Sequence, residues 1–134
     1  KETLRQLREA INSGNFGVFD TLVVEDFKEH LKVVGAAPGR DGYRGMMQGL
    51  SAGFPALTIE HHEIIGEGDK VSFRMIASGT HQTEFAGIPP TGRRIHFQGM
   101  ETMRFENGQA VERWGEIDQL GMLQQLGAFP PPGQ

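Results

Sequence analysis

The 134-residue sequence contains no cysteine. Without cysteine the chain forms no disulfide bond, offers no thiolate nucleophile and holds no sulfur-ligated metal, and this composition fits a reducing compartment. The sequence also lacks the run of about 20 apolar residues that a membrane-spanning helix needs, and no signal-peptide pattern opens it. We therefore expect the protein in the cytoplasm, with no contact to a membrane.

Positive charge is scarce as well. Lysine and arginine total 13 against 17 aspartates and glutamates, which gives a net charge of −4, and the basic residues are scattered. This pattern argues against nucleic acid or an anionic membrane as the main partner. The sequence has no HExxH metal motif, no GxSxG nucleophile motif and neither GxGxxG nor a P-loop. We therefore expect no metal and no cofactor.

The overall composition indicates one globular domain. A hydrophobic share of 37% and a charged share of 22% are typical of a chain that buries a single core. We predict one domain over residues 1–127 and a proline-rich tail over residues 128–134, irregular or packed on a neighbouring subunit.

Helical periodicity dominates the first part of the chain. Apolar residues between Leu4 and Ile11 repeat at helical spacing, and Gly14 ends that helix. A short helical turn is predicted at residues 16–20 and an extended segment at residues 21–34. A second amphipathic helix surrounds residues 43–50, with Asp41 as its predicted N-cap and Phe54-Pro55 as its end.

Strand patterns follow. We predict strands at residues 57–65, 70–82, 93–105 and 109–117, with a type I′ turn at Asn107-Gly108. A last helix covers residues 119–126 and ends at Gly127. Helices followed by antiparallel strands indicate an α+β fold. The 19 glycines are about twice the usual share, and glycine in a sheet marks bulges and bends, so a curved sheet around a cavity is favoured.

Three runs of sequence form a recognisable combination. They are the Gly-Thr-His to Gly-Ile-Pro-Pro-Thr-Gly-Arg segment at residues 79–93, Met-Arg-Phe ahead of Asn-Gly, and the ending Trp-x-x-x-Asp-x-x-Gly-x-Leu-x-Gln-Leu-Gly at residues 114–127. Together they resemble the SnoaL-like polyketide cyclases of the nuclear transport factor 2-like superfamily. The resemblance covers the order of elements in the whole chain and is close from about His61 onward. It implies a cone-shaped α+β barrel with about three helices packed on a strongly curved, mostly antiparallel sheet.

The resemblance also implies an activity. Characterised members close a ring by cofactor-independent intramolecular aldol condensation of an aromatic polyketide methyl ester. Such a reaction needs a base for the carbon acid and a donor for the resulting oxyanion. In this sequence Asp118 matches the family's acid/base aspartate. From the residues alone, Asp118 is read more readily as the N-cap of the last helix; we adopt the base as the prediction.

The histidines leave further alternatives open. His81, in the Gly-Thr-His run, is predicted as a donor to the oxyanion or a proton shuttle, or else as a histidine satisfied by backbone at a bulge. His30 is similar to a family position near the pocket. His61 and His62 are adjacent, so they face opposite sides of a strand and do not both line one site.

The other candidates are substrate-binding residues. Trp114 and Glu116 share a strand face, and Glu101 stands where some family members have an active-site histidine. Arg74 either pairs with Glu101 or Glu116 or faces water. The predicted substrate-binding set is Trp114, Glu116, Glu101, His30, Arg74, Tyr43, Phe54, Phe73 and Met75, and Met46 and Met47 are further candidates for apolar walls.

Three functions are consistent with this sequence. The first is a cofactor-independent cyclase, or a related hydroxylase or isomerase, that acts on an aromatic or polycyclic carbonyl compound. The second is a binding protein for an apolar small molecule, and the third is a scaffold whose sheet serves only for self-association. The resemblance implies a homodimer or homotetramer that assembles through the sheet.

Overall fold

The computed structural model describes residues 2–31, 37–84 and 88–127. The predicted tail at residues 128–134 lies outside the described residues, as do residues 32–34 of the predicted extended segment at residues 21–34. The elements are α1 (Glu2–Ser13), a 3-10 turn (Phe16–Val18), α2 (Phe19–Leu22), β1 (Val23–Glu29), α3 (Gly39–Gly53), β2 (Thr58–Glu67), β3 (Lys70–Thr80), β4 (Arg94–Glu106), β5 (Gln109–Ile117) and α4 (Gln119–Gln125).

The five strands form one mixed sheet in the order β1-β5-β4-β3-β2. β1 pairs with β5 in parallel, and the other three pairs are antiparallel. The predicted α+β class and mostly antiparallel sheet are confirmed. The predicted turn between β4 and β5 is confirmed too, because Asn107 and Gly108 have φ angles of 51° and 76°, as a type I′ turn requires.

Side chains alternate between two faces of the sheet. On β3, Val71, Phe73, Met75 and Ala77 are buried and the residues between them are partly exposed. This inner face packs against α1 and α3, which contribute buried Leu4, Leu7, Ile11, Tyr43 and Leu50 to the same core. Each fully buried leucine, isoleucine, valine, phenylalanine or methionine side chain stabilises the fold by about 1.5–3 kcal/mol. In the described part of the chain, no helix has the length and apolar composition needed to cross a bilayer.

Two local predictions were wrong. Residues 21–22, predicted as extended, belong to α2, and β1 begins only at Val23, whereas the helical turn predicted at residues 16–20 is confirmed. The helical turn places Phe19 in the core, where it is fully buried, so tertiary packing decides the conformation here. Asp41 is not the N-cap of α3, because the helix begins at Gly39 with Pro38 at the cap position. Asp41 lies in the first turn, where a carboxylate interacts favourably with the helix dipole.

Candidate active site

A cavity of about 480 Å³ lies between the inner face of the sheet and the helices. This volume is in the range of small-molecule sites. Its walls are mainly apolar and come from α1 (Leu4, Leu7, Ile11), α3 (Met46, Met47, Leu50), the sheet (Ile59, Phe73, Met75, Phe97, Met103) and α4 (Met122). Of the predicted substrate-binding residues, Tyr43, Phe73, Met75 and Glu101 line it.

A buried cluster of charges forms the polar part of the wall. Arg113 Nη1 donates to Glu101 Oε1 at 3.2 Å, and Arg113 Nε donates to the two carboxylate oxygens of Glu29 at 3.0 and 2.8 Å. Arg113 Nη2 also donates to Glu29. The parallel pairing of β1 with β5 sets Glu29 beside Arg113. The guanidinium of Arg113 therefore binds both carboxylates and makes more hydrogen bonds to Glu29 than to Glu101.

Burial determines the protonation of this cluster. Burial raises the pKa of the Glu101 carboxyl, Arg113 opposes that shift, and the charge of Glu29 adds to it. Burial also disfavours the charged form of Arg113, but Tyr43, Glu101 and Glu29 together hold the pKa of its guanidinium above the usual value. Arg113 thus stays charged, while Glu101 keeps its proton to a higher pH than an ordinary carboxyl does.

Tyr43 supports the guanidinium from the helix side. The Arg113 Cζ lies 4.2 Å from the centre of the Tyr43 ring, a favourable cation–π arrangement. Tyr43 stacks on Phe27 at 5.1 Å and meets the edge of Phe19 at 5.0 Å. Burial raises the pKa of Tyr43 to about 12, so the phenol is neutral at physiological pH. These contacts fix the position of the charge on Arg113.

His61 lines the cavity as well. Its ring centre lies 4.3 Å from that of Phe73, and its Nδ1 lies 3.4 Å from Arg8 Nη1 on α1. Burial, followed by the charges of Arg8 and His62, lowers the pKa of His61 to about 4, so the imidazole is neutral. The sequence contained a signal for this residue, since strand alternation puts His61 on the same face as buried Ile59.

Asp118 lies outside the cavity wall. It is exposed, it is the N-cap of α4, and its Oδ1 accepts a hydrogen bond from the Gly121 N–H at 2.9 Å. Its neighbours Ile117 and Gln119 line the cavity, and Asp118 does not. The structure therefore gives Asp118 a capping role, and its part as the base stays a prediction.

His81 is also away from the cavity. It is fully buried, and its Nδ1 lies 3.0 Å from Thr91 Oγ1 and accepts from the Thr91 N–H at 3.3 Å. Its backbone exchanges hydrogen bonds with Gly92 and Arg93. Phe54, 5.4 Å from the His81 ring, is fully buried in the core and does not line the cavity. The described contacts of His81 thus tie the end of β3 to the segment before β4.

Four predicted site residues lie on the outer side of the sheet. Trp114 stacks on His30 at 5.2 Å, and His30 Nε2 lies 2.7 Å from Glu112. Arg74 Nε donates to Glu63 at 2.8 Å, so it pairs with neither Glu101 nor Glu116. Glu116 is exposed. Because Arg113, Gly115 and Ile117 face inward, alternation turns Trp114 and Glu116 outward.

The residues that the sequence analysis missed are Arg113, Glu29 and His61. The inward position of Arg113 depends on the register shift between Arg104 and Phe105 in the pairing of β4 with β5, which no local sequence pattern indicates. Within residues 2–31, 37–84 and 88–127, no group of three or more His, Asp or Glu side chains is arranged to hold a metal ion.

Several solved structures resemble this chain over nearly its whole length, although a comparison with curated protein sequences finds no significant match. Among solved structures, IdmH, "a putative polyketide cyclase from Streptomyces antibioticus", is 36% identical, with 94% of this chain and 96% of that chain covered and a TM-score of 0.80. TsrD from Streptomyces laurentii is 26% identical, with coverages of 96% and 94% and a TM-score of 0.84.

A third solved structure carries a different functional name. AclR, "a putative hydroxylase from Streptomyces galilaeus", is 28% identical, with 96% of each chain covered and a TM-score of 0.82. The sequence model of the family described as SnoaL-like polyketide cyclase matches residues 1–126. The chain belongs to the SnoaL-like polyketide cyclase family.

Proposed function

We propose that this protein is a cofactor-independent acid/base enzyme that forms an enolate from an aromatic polyketide-like ester and closes a ring by intramolecular aldol condensation. Glu101 is the proposed acid/base. The observation that carries the proposal is a buried carboxyl with a raised pKa on the wall of an apolar cavity. Asp41 also borders the cavity, but its side chain is 87% exposed, so its carboxylate remains hydrated.

The reaction follows from the properties of Glu101. The ionised carboxylate takes a proton from the carbon next to a carbonyl, and the electron pair moves to the carbonyl oxygen. The enolate carbon then attacks a second carbonyl of the same molecule and forms the new carbon–carbon bond. The proton on Glu101 passes to the resulting alkoxide. A raised pKa suits both transfers, because it lies nearer the working pH than that of an exposed carboxyl.

Arg113 assists Glu101. Its contacts with Glu29 and Glu101 hold the Glu101 carboxyl at the wall, and its positive charge favours the negative charge that develops on the enolate. The apolar walls strengthen this interaction by excluding water.

Three alternatives make different predictions. In the first, Asp118 leaves the amide of Gly121 when substrate binds and acts as the base in place of Glu101. In the second, the cavity binds an apolar molecule without turnover. The likeness to AclR, named a putative hydroxylase, supports a third possibility, in which dioxygen adds to the same enolate carbon, a proton completes the hydroperoxide, and no ring is closed.

Deuterium exchange separates these alternatives. The probe is a naphthyl methyl ketone in heavy water, and mass spectrometry measures deuterium in its methyl group. We expect exchange with the unmodified protein and a loss of about 100-fold or more in Glu101→Gln, with probe affinity within about tenfold. Glu116→Gln, on the outer face, is the matched control and should exchange normally.

Other outcomes of these experiments would support one of the three alternatives. Loss of exchange in Asp118→Asn with normal exchange in Glu101→Gln would identify Asp118 as the base. Binding without exchange in any variant would support the binding protein. Oxygen incorporation into the probe under air would support the hydroxylase.

The proposed assembly is a homodimer or homotetramer through the outer face of the sheet. Met100 on that face is 59% exposed and pairs across the strands with Glu116 and Arg74. Light scattering after size-exclusion chromatography should show an oligomer that Met100→Glu weakens. A monomer in the unmodified protein would contradict this assembly.

A further inference from the structure

His61 and Glu101 lie at opposite sides of an aromatic floor. Glu101 on β4 pairs with Phe73 on β3, and His61 on β2 pairs with Met75, two residues further along β3. The ring of Phe73 lies between them and contacts His61. Neighbouring strands are about 4.8 Å apart, so two strand spacings separate the two polar groups by on the order of 10 Å.

Arg8 determines which nitrogen of His61 carries the proton. Arginine has donors and no acceptor, so in the contact between Arg8 Nη1 and His61 Nδ1 the imidazole nitrogen accepts. The hydrogen of the neutral ring is therefore on Nε2. Among the described residues, Nε2 of His61 has no hydrogen-bond partner, although the residue is part of the cavity wall. The imidazole of His61 is thus a neutral donor on a residue that lines the cavity.

We propose that the Nε2–H of His61 donates to an oxygen at the end of the substrate remote from Glu101. The cavity would then select flat molecules that cover Phe73 and carry an oxygen acceptor on the order of 10 Å from the carbon acid. The inference rests on the proposed function, because Glu101 defines the reacting end. It adds a specificity determinant on β2, far from the strand that carries Arg113.

Neutrality of the imidazole suits this role. A neutral donor gives directional recognition without placing a charge in the apolar cavity, whose charged groups already compensate one another in part through Arg113. The burial that lowers the pKa of His61 to about 4 keeps it neutral above that pH. One hydrogen bond of this kind corresponds to about five- to tenfold in affinity.

A pair of probes tests the inference. One is a naphthalene with an acetyl group at each end, and the other is the naphthyl methyl ketone with a single acetyl group. Calorimetry should show that the unmodified protein binds the diketone about five- to tenfold more tightly. His61→Leu should lose this preference, whereas Glu101→Gln should keep it. His61→Gln, which retains an N–H donor, should recover part of it.

Arg8→Leu provides a second variant that leaves the cavity wall unchanged. Nitrogen-15 NMR of the histidine ring should show the Nε2–H tautomer in the unmodified protein and a mixture of tautomers in Arg8→Leu. The diketone preference should fall by a corresponding fraction. A structural role for His61 alone predicts the change of tautomer without any change in the diketone preference.

The outcomes separate this inference from the proposed function. A His61-dependent diketone preference without deuterium exchange would support the binding role and reject the enzyme. Exchange with no diketone preference, or with a preference that persists in folded His61→Leu, would overturn the role of His61 and leave the enzyme standing.

Discussion

Gly115 lies directly opposite Glu101 in the pairing of β4 with β5. A Cβ at position 115 would stand 2.9 Å from the Glu101 Cγ, 2.9 Å from the Met100 carbonyl oxygen and 3.1 Å from Leu31 Cδ1. The absent side chain leaves the volume that Glu101 occupies. Gly115 thus positions the carboxyl by being small.

We therefore expect Gly115→Ala to displace Glu101. The added methyl group meets backbone on one side, so the strands must shift, and overpacking of this kind costs about 1–3 kcal/mol of unfolding free energy. Urea denaturation measures the loss, and deuterium exchange should fall with it. Gly45→Ala is the control for stability, because a Cβ there meets nothing within 4 Å and alanine favours helix. A Gly115→Ala variant as stable and active as the unmodified protein would contradict the packing described.

Removal of the shared guanidinium should be costly. Arg113→Met leaves the buried Glu29 and Glu101 carboxyls without their partner, and breaking a buried ion pair from one side typically costs about 3–5 kcal/mol. Urea denaturation should show this loss, and the double variant with Glu101→Gln should recover part of it. Additive effects of the two substitutions would mean that Arg113 and Glu101 do not interact.

The capping role of Asp118 predicts a difference between two substitutions. Asparagine is also a good N-cap, so Asp118→Asn should leave the unfolding free energy nearly unchanged, whereas Asp118→Ala should lower it by about 1 kcal/mol. Thermal and urea unfolding of both variants provide the measurement. Equal stability of Asp118→Ala and Asp118→Asn would show that the hydrogen bond to Gly121 contributes little.

His61 predicts a loss of stability at acid pH. Its folded pKa of about 4 is below the unfolded value of 6.5, so between these pH values the unfolded chain binds a proton that the folded chain does not. The contribution of His61 to stability is complete above pH 6.5 and declines as pH falls toward 4. The pH dependence of urea denaturation should therefore be weaker in His61→Leu than in the unmodified protein. Identical slopes would contradict the buried, neutral imidazole.

The local sequence was sufficient for most of the fold and insufficient for the site. Helix periodicity and the Asn107-Gly108 turn predicted the order of elements, because these signals depend on neighbouring residues. If the pairing of β4 with β5 continued from Glu106–Gln109 without a register shift, Glu101 would lie opposite Trp114 and both side chains would be on the same face of the sheet. A register shift between Arg104 and Phe105 instead sets Glu101 opposite Gly115.

That shift of one residue explains the misplaced candidates. A slip by one residue moves a whole strand's side chains to the other face, so Trp114 and Glu116 face outward and Arg113 faces the cavity. This register shift depends on packing in the assembled sheet, and no local sequence pattern indicates it. The ion pair of Glu29 with Arg113 could not be predicted from the sequence either, because it requires the parallel pairing of β1 with β5, which are far apart in sequence.

The most direct test of the account is the titration of the Glu101 carboxyl. Carbon-13 NMR of labelled glutamate side chains, compared between the unmodified protein and Glu101→Gln, assigns the resonance and follows it with pH. We predict a midpoint above 4.5, the ordinary value for glutamate, because burial disfavours the carboxylate more than Arg113 favours it. A midpoint at or below 4.5 would mean that Glu101 is a permanently ionised partner of Arg113, and the acid/base role assigned to it would be wrong.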